Sequence, residues 1–152
     1  VSEVLKVFVY GTLKPGEANY DRYCKPWVVE AKAAIVYGEL YHLPFGYPAL
    51  TPGNTPVQGF LLYFSNSNIL VSLDELEDYH PDRPIEANEY FRTQTDVFEP
   101  EANRNLIAPR RLGQAWLYQM RPALINQLSG IWLPEGNWTG VTADDNRLGS
   151  AS

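Results

Sequence analysis

The run Leu5-Lys6-Val7-Phe8-Val9-Tyr10 is rich in strand-forming residues and is stopped by Gly11, which predicts a first strand. Pro15-Gly16 marks a turn, and Ala18 to Cys24 suits a short helix. Ala33 to Tyr37 continues through Gly38 into Leu40 to Leu43, a long strand with a bulge or bend expected at the glycine. Pro44, Gly46 and Pro48 break it into a loop, and Val57 to Phe64 forms the next strand around an internal Gly59. Glycines inside strands suit the tight bends of a small closed sheet.

The period then changes. Asn66-Ser67-Asn68 supplies N-cap candidates, and Ile69, Leu70, Leu73 and Leu76 follow at helical spacing. The helix is expected to run to about Asp78, ended by His80-Pro81 and the turn-forming Asp82-Arg83-Pro84. Tyr90 to Phe98 and Gly113 to Tyr118 read as strands joined by a polar connection over residues 99–110, and Ala123 to Leu128 as a short helix. About five or six strands with one main helix predict an α+β domain dominated by its sheet. A length of 152 residues fits one domain, expected over residues 1–140, with 141–152 as a flexible tail.

Composition narrows the function classes. A net charge of -6 disfavours nucleic acid, which wants a basic stripe, and gives no reason for adsorption on an anionic membrane. No apolar run approaches the roughly 18 residues needed to span a bilayer. Val1 to Tyr10 lacks the basic leader, longer apolar core and cleavage site of a signal peptide, so a cytoplasmic location is expected. The lone cysteine, Cys24, rules out an internal disulfide and a cysteine-based zinc cluster, and reads as a small core residue. His42 and His80 are too few for a His-rich metal site, and His42 reads as a satisfied strand residue. Aromatic residues at 13%, ten of them tyrosines, fill a compact core and also line small-molecule pockets.

Ser72-Leu73-Asp74-Glu75-Leu76-Glu77-Asp78 holds four acids that are not equivalent. At about 100° per residue, with Leu70 at zero, Leu73 falls near 300° and Glu77 near 340°, between the two leucines. Asp74 lies at the border of that face, whereas Glu75 and Asp78 point away. A helix packed by its leucines therefore carries Glu77 inward. Burial raises a glutamate's pKa from about 4.3 towards neutrality, where a general acid/base is useful. The competing reading pairs Glu77 with Arg92 or Arg83 in a structural ion pair.

Tyr10-Gly11-Thr12-Leu13-Lys14-Pro15-Gly16 leaves a strand at a glycine, which permits a sharp turn and close approach of a ligand to peptide N–H groups. Consecutive N–H groups in such a turn form an anion-binding nest suited to a carboxylate. Gly11 and Gly16 have phosphate-loop spacing, but no Lys-Ser/Thr follows Gly16, so that motif fails. A plain turn with Lys14 exposed is the alternative.

Val7-Phe8-Val9-Tyr10-Gly11-Thr12-Leu13-Lys14-Pro15-Gly16 resembles the opening signature of the gamma-glutamylcyclotransferase-like family, in its gamma-glutamylamine cyclotransferase or AIG2-like branch. The resemblance continues through Gly38-Glu39-Leu40-Tyr41-His42-Leu43, Tyr47-Pro48-Ala49-Leu50 and Val57-Gln58-Gly59-Phe60-Leu61-Leu62-Tyr63. It extends through Leu73-Asp74-Glu75-Leu76-Glu77, similar to the family's Leu-Asp-x-x-Glu, then Tyr90-Phe91-Arg92, Ala115-Trp116-Leu117-Tyr118 and Ser129-Gly130-Ile131-Trp132. The family commonly has glycine after the glutamate. Here Asp78 follows, and a longer insert, His80 to Asn88, bears on one rim of the pocket and so on substrate specificity.

The resemblance implies a small mixed β-barrel flanked by helices and an enzyme that releases 5-oxoproline from a small-molecule gamma-glutamyl substrate. It implies Glu77 as the general acid/base and the backbone N–H groups of Gly11, Thr12 and Leu13 as the holder of the substrate carboxylate. Tyr10 would be part of the wall, and Tyr118 a hydrogen-bond donor to the substrate. It implies no metal and no cofactor, and leaves the oligomeric state open. The rival reading is a non-catalytic small-molecule-binding or regulatory module on the same fold. A Ser72-Asp74-His80 triad lacks a nucleophile-elbow pattern, and Asn137-Trp138-Thr139 is a glycosylation sequon without a secretory signal.

Overall fold

The computed structural model describes residues 5–17, 19–66, 68–100 and 109–138. The expected tail at 141–152 and most of the 99–110 connection lie outside the described residues. Seven strands form one sheet: β1 (Leu5–Val9), β2 (Val28–His42), β3 (Pro48–Pro52), β4 (Thr55–Phe64), β5 (Tyr90–Phe98), β6 (Arg111–Met120) and β7 (Ile131–Trp132). Helix α1 spans Ile69–Leu76 and α2 Pro122–Gln127, with a π-helical turn at Tyr20–Cys24 and a 3-10 turn at Ile85–Ala87.

The strands β2-β4-β1-β6-β5 follow one another and close on themselves where Ile35 of β2 pairs Phe98 of β5. The sheet is mixed, because β1 runs parallel to β6 and antiparallel to β4. This is the expected α+β ring of strands with flanking helices. Side-chain alternation divides the core in two. Phe8 and Tyr10, Val57 and Leu61, and Ala115 and Leu117 pack together with Ala34, Val36, Val97 and Trp138. The alternate residues of the same strands, Val7, Val9, Leu62, Phe64, Tyr118 and Met120, join Leu13, Cys24, Ile69 and Leu73. The second set is the face on which α1 docks.

Three expectations change. Pro48 and its neighbours form an edge strand, β3, where a loop was expected. Prolines at its first and last residues leave Ala49, Leu50 and Thr51 to pair with Tyr41, Leu40 and Glu39. Gly38 sits in regular register, opposite Pro52 and Thr55, and the register shift of β2 falls between Val28 and Glu30. Gly38 is needed for closeness: a Cβ there would lie 2.7 Å from the Thr51 carbonyl oxygen. Helix α1 stops two residues short of Asp78, with Asn66 Oδ1 accepting from the Asn68 N–H at its start (2.9 Å).

Candidate functional site

The end of α1 places the candidate acid. The Tyr79 N–H reaches the Asp74 carbonyl (2.8 Å) and the Asp78 N–H reaches that of Glu75 (3.2 Å), the paired bonds of a Schellman motif. Glu77 is thus the C-cap, still right-handed at φ -86°, and Asp78 takes the left-handed position at φ 55°. That position favours glycine, which is what the resembling family commonly carries there. Asp78→Gly should relieve strain and raise stability by about 0.5–1 kcal/mol, read as a Tm rise of a few degrees; a fall would show that the exposed Asp78–Arg83 and Asp78–His80 pairs outweigh the backbone term.

Burial sorts the four acids as helical geometry predicts. Glu77 is 0% exposed, Asp74 is half-buried, and Glu75 and Asp78 are exposed. Arg92 grips Asp74 with two bonds of 2.9 and 3.1 Å, and Arg83 donates to Asn88 Oδ1 and to the Asp78 carbonyl. The insert His80 to Asn88 folds around that buried Asn88, whose side chain also accepts from the His80 N–H (3.0 Å) and donates to the His80 carbonyl (3.1 Å).

The β5–β6 register supplies the facing wall. Arg92 pairs directly with Tyr118 and Gln94 with Trp116, so Tyr90, Arg92, Trp116, Tyr118 and Met120 share one face. The Tyr118 hydroxyl donates to Asp74 Oδ1 at 2.6 Å, while Tyr10 donates to the Tyr118 carbonyl (2.6 Å) and Tyr90 to the Pro48 carbonyl (2.8 Å). All three phenols are pushed above the ordinary tyrosine range, first by burial. The Glu77 carboxylate contributes to the rise in each, which puts it within electrostatic reach of Tyr10, Tyr90 and Tyr118. Tyr118 is raised further by its bond to Asp74 and the charge there.

The structure thus brings Glu77, Tyr10 and Tyr118 together, with the Gly11 loop following directly from Tyr10. That loop closes as a turn, Lys14 N–H to Gly11 carbonyl at 3.0 Å, and its left-handed residue is Gly16 at φ 96°. Three ties hold it. Leu13 is fully buried in the core shared with Leu73, Thr12 Oγ1 accepts from the buried Asn19 amide (2.9 Å), and Lys14 Nζ donates to the Trp138 carbonyl (2.6 Å). Lys14 is therefore not the exposed residue of a plain turn, and burial lowers its pKa.

The sequence pointed to Arg92 only as a structural partner of Glu77 and to Asp74 only within a failed triad, with no site role for Tyr90, although the border position of Asp74 was an available signal. The Cys24 thiol is buried and pushed up to about 12, so it stays protonated and inert. His42 Nδ1 accepts from Trp138 Nε1 (3.1 Å), as a satisfied strand residue does. Asp74 is committed to Arg92 and Tyr118, while His80 lies against Asp78 at 3.3 Å, which leaves no triad with Ser72. No helix among the described residues is long and apolar enough to cross a membrane.

Residues 7–140 match a family described as gamma-glutamyl cyclotransferase, AIG2-like. A Drosophila melanogaster protein with a provisional gamma-glutamylcyclotransferase name is 32% identical over 126 residues, 76% of this chain and 69% of that protein. The gamma-L-glutamyl-butirosin B gamma-glutamyl cyclotransferase of Niallia circulans is 38% identical over 73 residues, 48% of this chain and 46% of that protein. Among solved structures, an AIG2-like protein from Mus musculus superposes with a TM-score of 0.64 at 20% identity, covering 95% of this chain and 99% of that one. YkqA from Bacillus subtilis gives 0.57 at 18% identity, covering 90% of this chain and 40% of that one.

Proposed function

The chain belongs to the gamma-glutamyl cyclotransferase, AIG2-like family, and on that premise we propose that it releases 5-oxoproline and a free amine or amino acid from a gamma-glutamyl compound. The observation that carries this reading is the wholly buried Glu77, set by charge against Tyr10, Tyr90 and Tyr118.

The reaction is intramolecular, so the site must chiefly hold a near-attack geometry. The α-amine nitrogen bonds to the γ-carbonyl carbon, and the bond from that carbon to the leaving nitrogen breaks. The α-amine loses a proton and the leaving amine gains one. A single carboxylate between them serves both transfers, and Glu77 is that group. The N–H groups of Gly11, Thr12 and Leu13 hold the substrate carboxylate on a loop fastened by Leu13, Asn19 and Lys14. Glu77 and Tyr118 are closed to solvent in this conformation, so substrate access requires movement of the segments packed over them.

The test is 5-oxoproline release from gamma-glutamyl-amino acids, gamma-glutamyl-amines, ε-(gamma-glutamyl)-lysine and glutathione. Gamma-L-glutamyl-butirosin B joins the panel because a relative's name carries it. Turnover of one or more is expected; binding without turnover across the panel would replace the enzyme with a binding module. Gly11→Val should raise KM at least roughly tenfold by keeping the carboxylate off the turn. Unchanged kinetics in that variant would remove the loop from the site.

A further inference from the structure

Three tyrosines beside Glu77 spend their protons inside the protein. Tyr10 gives its proton to the Tyr118 carbonyl, Tyr90 to the Pro48 carbonyl, and Tyr118 to Asp74. A phenol has one proton to give and lone pairs to accept with. What such a phenol can still present is therefore a lone pair, and on Tyr10 the Leu50 N–H already meets it. Next to a carboxylate, that lining suits a group carrying several N–H donors and positive charge, and disfavours one that needs donors.

Tyr118 is the most firmly fixed of the three. Its 2.6 Å bond to Asp74 Oδ1 has the length of a charge-assisted O–H to carboxylate bond. Asp74 in turn is gripped by the Arg92 fork, with the two side chains 16% and 18% exposed. The Arg92 guanidinium lies 4.5 Å from the Trp116 ring centroid and 5.6 Å from that of Tyr79. Arg92 and Tyr118 together limit how Asp74 can turn, and Asp74 decides which way the Tyr118 proton points.

We propose that Asp74, held by Arg92, is a positioning residue that takes the Tyr118 proton and so presents Tyr118 to the substrate's α-ammonium group as a hydrogen-bond acceptor. This rests on the cyclotransferase reading, and it reverses the donor role first expected of Tyr118. An α-ammonium offers three N–H donors. With one on Tyr118 and one passing its proton to Glu77, the nitrogen lone pair that forms is aimed by two fixed contacts. Asp74 Oδ1 accepts from both Arg92 Nε and Tyr118, so in Asp74→Asn either the amide N–H turns on Tyr118 or the oxygen stays there as a neutral, weaker acceptor, and in both cases the hold on the Tyr118 proton is loosened.

On whichever substrate the panel identifies, Tyr118→Phe and Asp74→Asn should each lower kcat about ten- to a hundredfold, a loss of oriented contact, with KM moved less than about threefold. The double variant should match the slower single variant, because Asp74 acts through Tyr118. Multiplied losses would mean that Asp74 is structural and overturn the proposal. Since Asp74→Asn strands a charge on Arg92, Asp74→Asn with Arg92→Met, which removes both charges, is measured alongside and should show the same fall in kcat; wild-type kcat in it would also overturn the proposal. If the wild type turns over no gamma-glutamyl compound, the cyclotransferase reading fails, and the proton's direction is read without turnover. In protein carrying 13Cζ-tyrosine, the resonance missing from Tyr118→Phe should shift in the Asp74→Asn/Arg92→Met variant, and a stationary resonance overturns the proposal.

Discussion

Replacing Glu77 by glutamine is expected to slow 5-oxoproline release by about 10²–10⁴-fold while the protein stays folded. The exchange keeps the side chain's size but replaces one acceptor oxygen by an N–H2 donor, and it removes the negative charge together with the ability to take and return a proton. Because Glu77 is fully buried, a neutral amide there avoids the cost of desolvating a charge. The thermal midpoint should therefore hold or rise. A structural ion pair would behave in the opposite way, with stability lost and turnover kept, and that pattern would end the catalytic assignment. Glu75→Gln supplies the internal comparison: it alters an exposed acid two residues away and should leave kcat, KM and Tm unchanged. The pair of variants tests the selection of one acid from four on the same short stretch.

That selection was readable because it depends on local geometry alone. A leucine face and a 100° step suffice to send Glu77 inward, and no knowledge of its neighbours is needed. The contacts among Asp74, Arg92 and Tyr118 were not readable for the opposite reason. Asp74, Arg92 and Tyr118 meet only after α1 docks and β5 pairs with β6 in a register that sets Arg92 opposite Tyr118. The separation of 44 residues between Asp74 and Tyr118 leaves no periodic trace.

The strands divide in the same way. Tyr90–Phe98 was legible because it is dense in strand-forming Tyr, Phe, Thr and Val. The first half of β2 was not, since Glu30, Ala31 and Lys32 are exposed and carry no apolar pattern; they are strand because β4 offers them Tyr63, Leu62 and Leu61 to pair with. β3 was hidden by its prolines, which its edge position tolerates at the two ends of the strand. At Asp78 the missing glycine was visible, but the left-handed backbone that gives it meaning required the structure.

Gly59→Ala should destabilise the protein by about 3 kcal/mol, at the upper end of typical overpacking costs, and lower its Tm by roughly 10 °C. Strand propensity argues for the other sign, since alanine ordinarily gains about 0.5–1 kcal/mol over glycine inside a regular element. The geometry decides between them. A Cβ at Gly59 would lie 2.2 Å from the Val9 carbonyl oxygen and 2.7 Å from Phe8 Cζ. The first of these is backbone and has no rotamer to escape into. β4 also has no room to retreat: it is paired to β1 on one side, Val9 opposite Phe60, and to β2 on the other, Ala34 opposite Gly59. Relief must come from β1 moving outward, and β1 leads directly into Tyr10 and the Gly11 turn. Denaturation midpoint and KM should therefore worsen together in this variant, whereas a higher midpoint would show that the strands have more room than 2.2 Å allows. The coupling has a physical consequence for function: the closeness that lets five strands shut into a ring also fixes where the candidate carboxylate-binding turn begins.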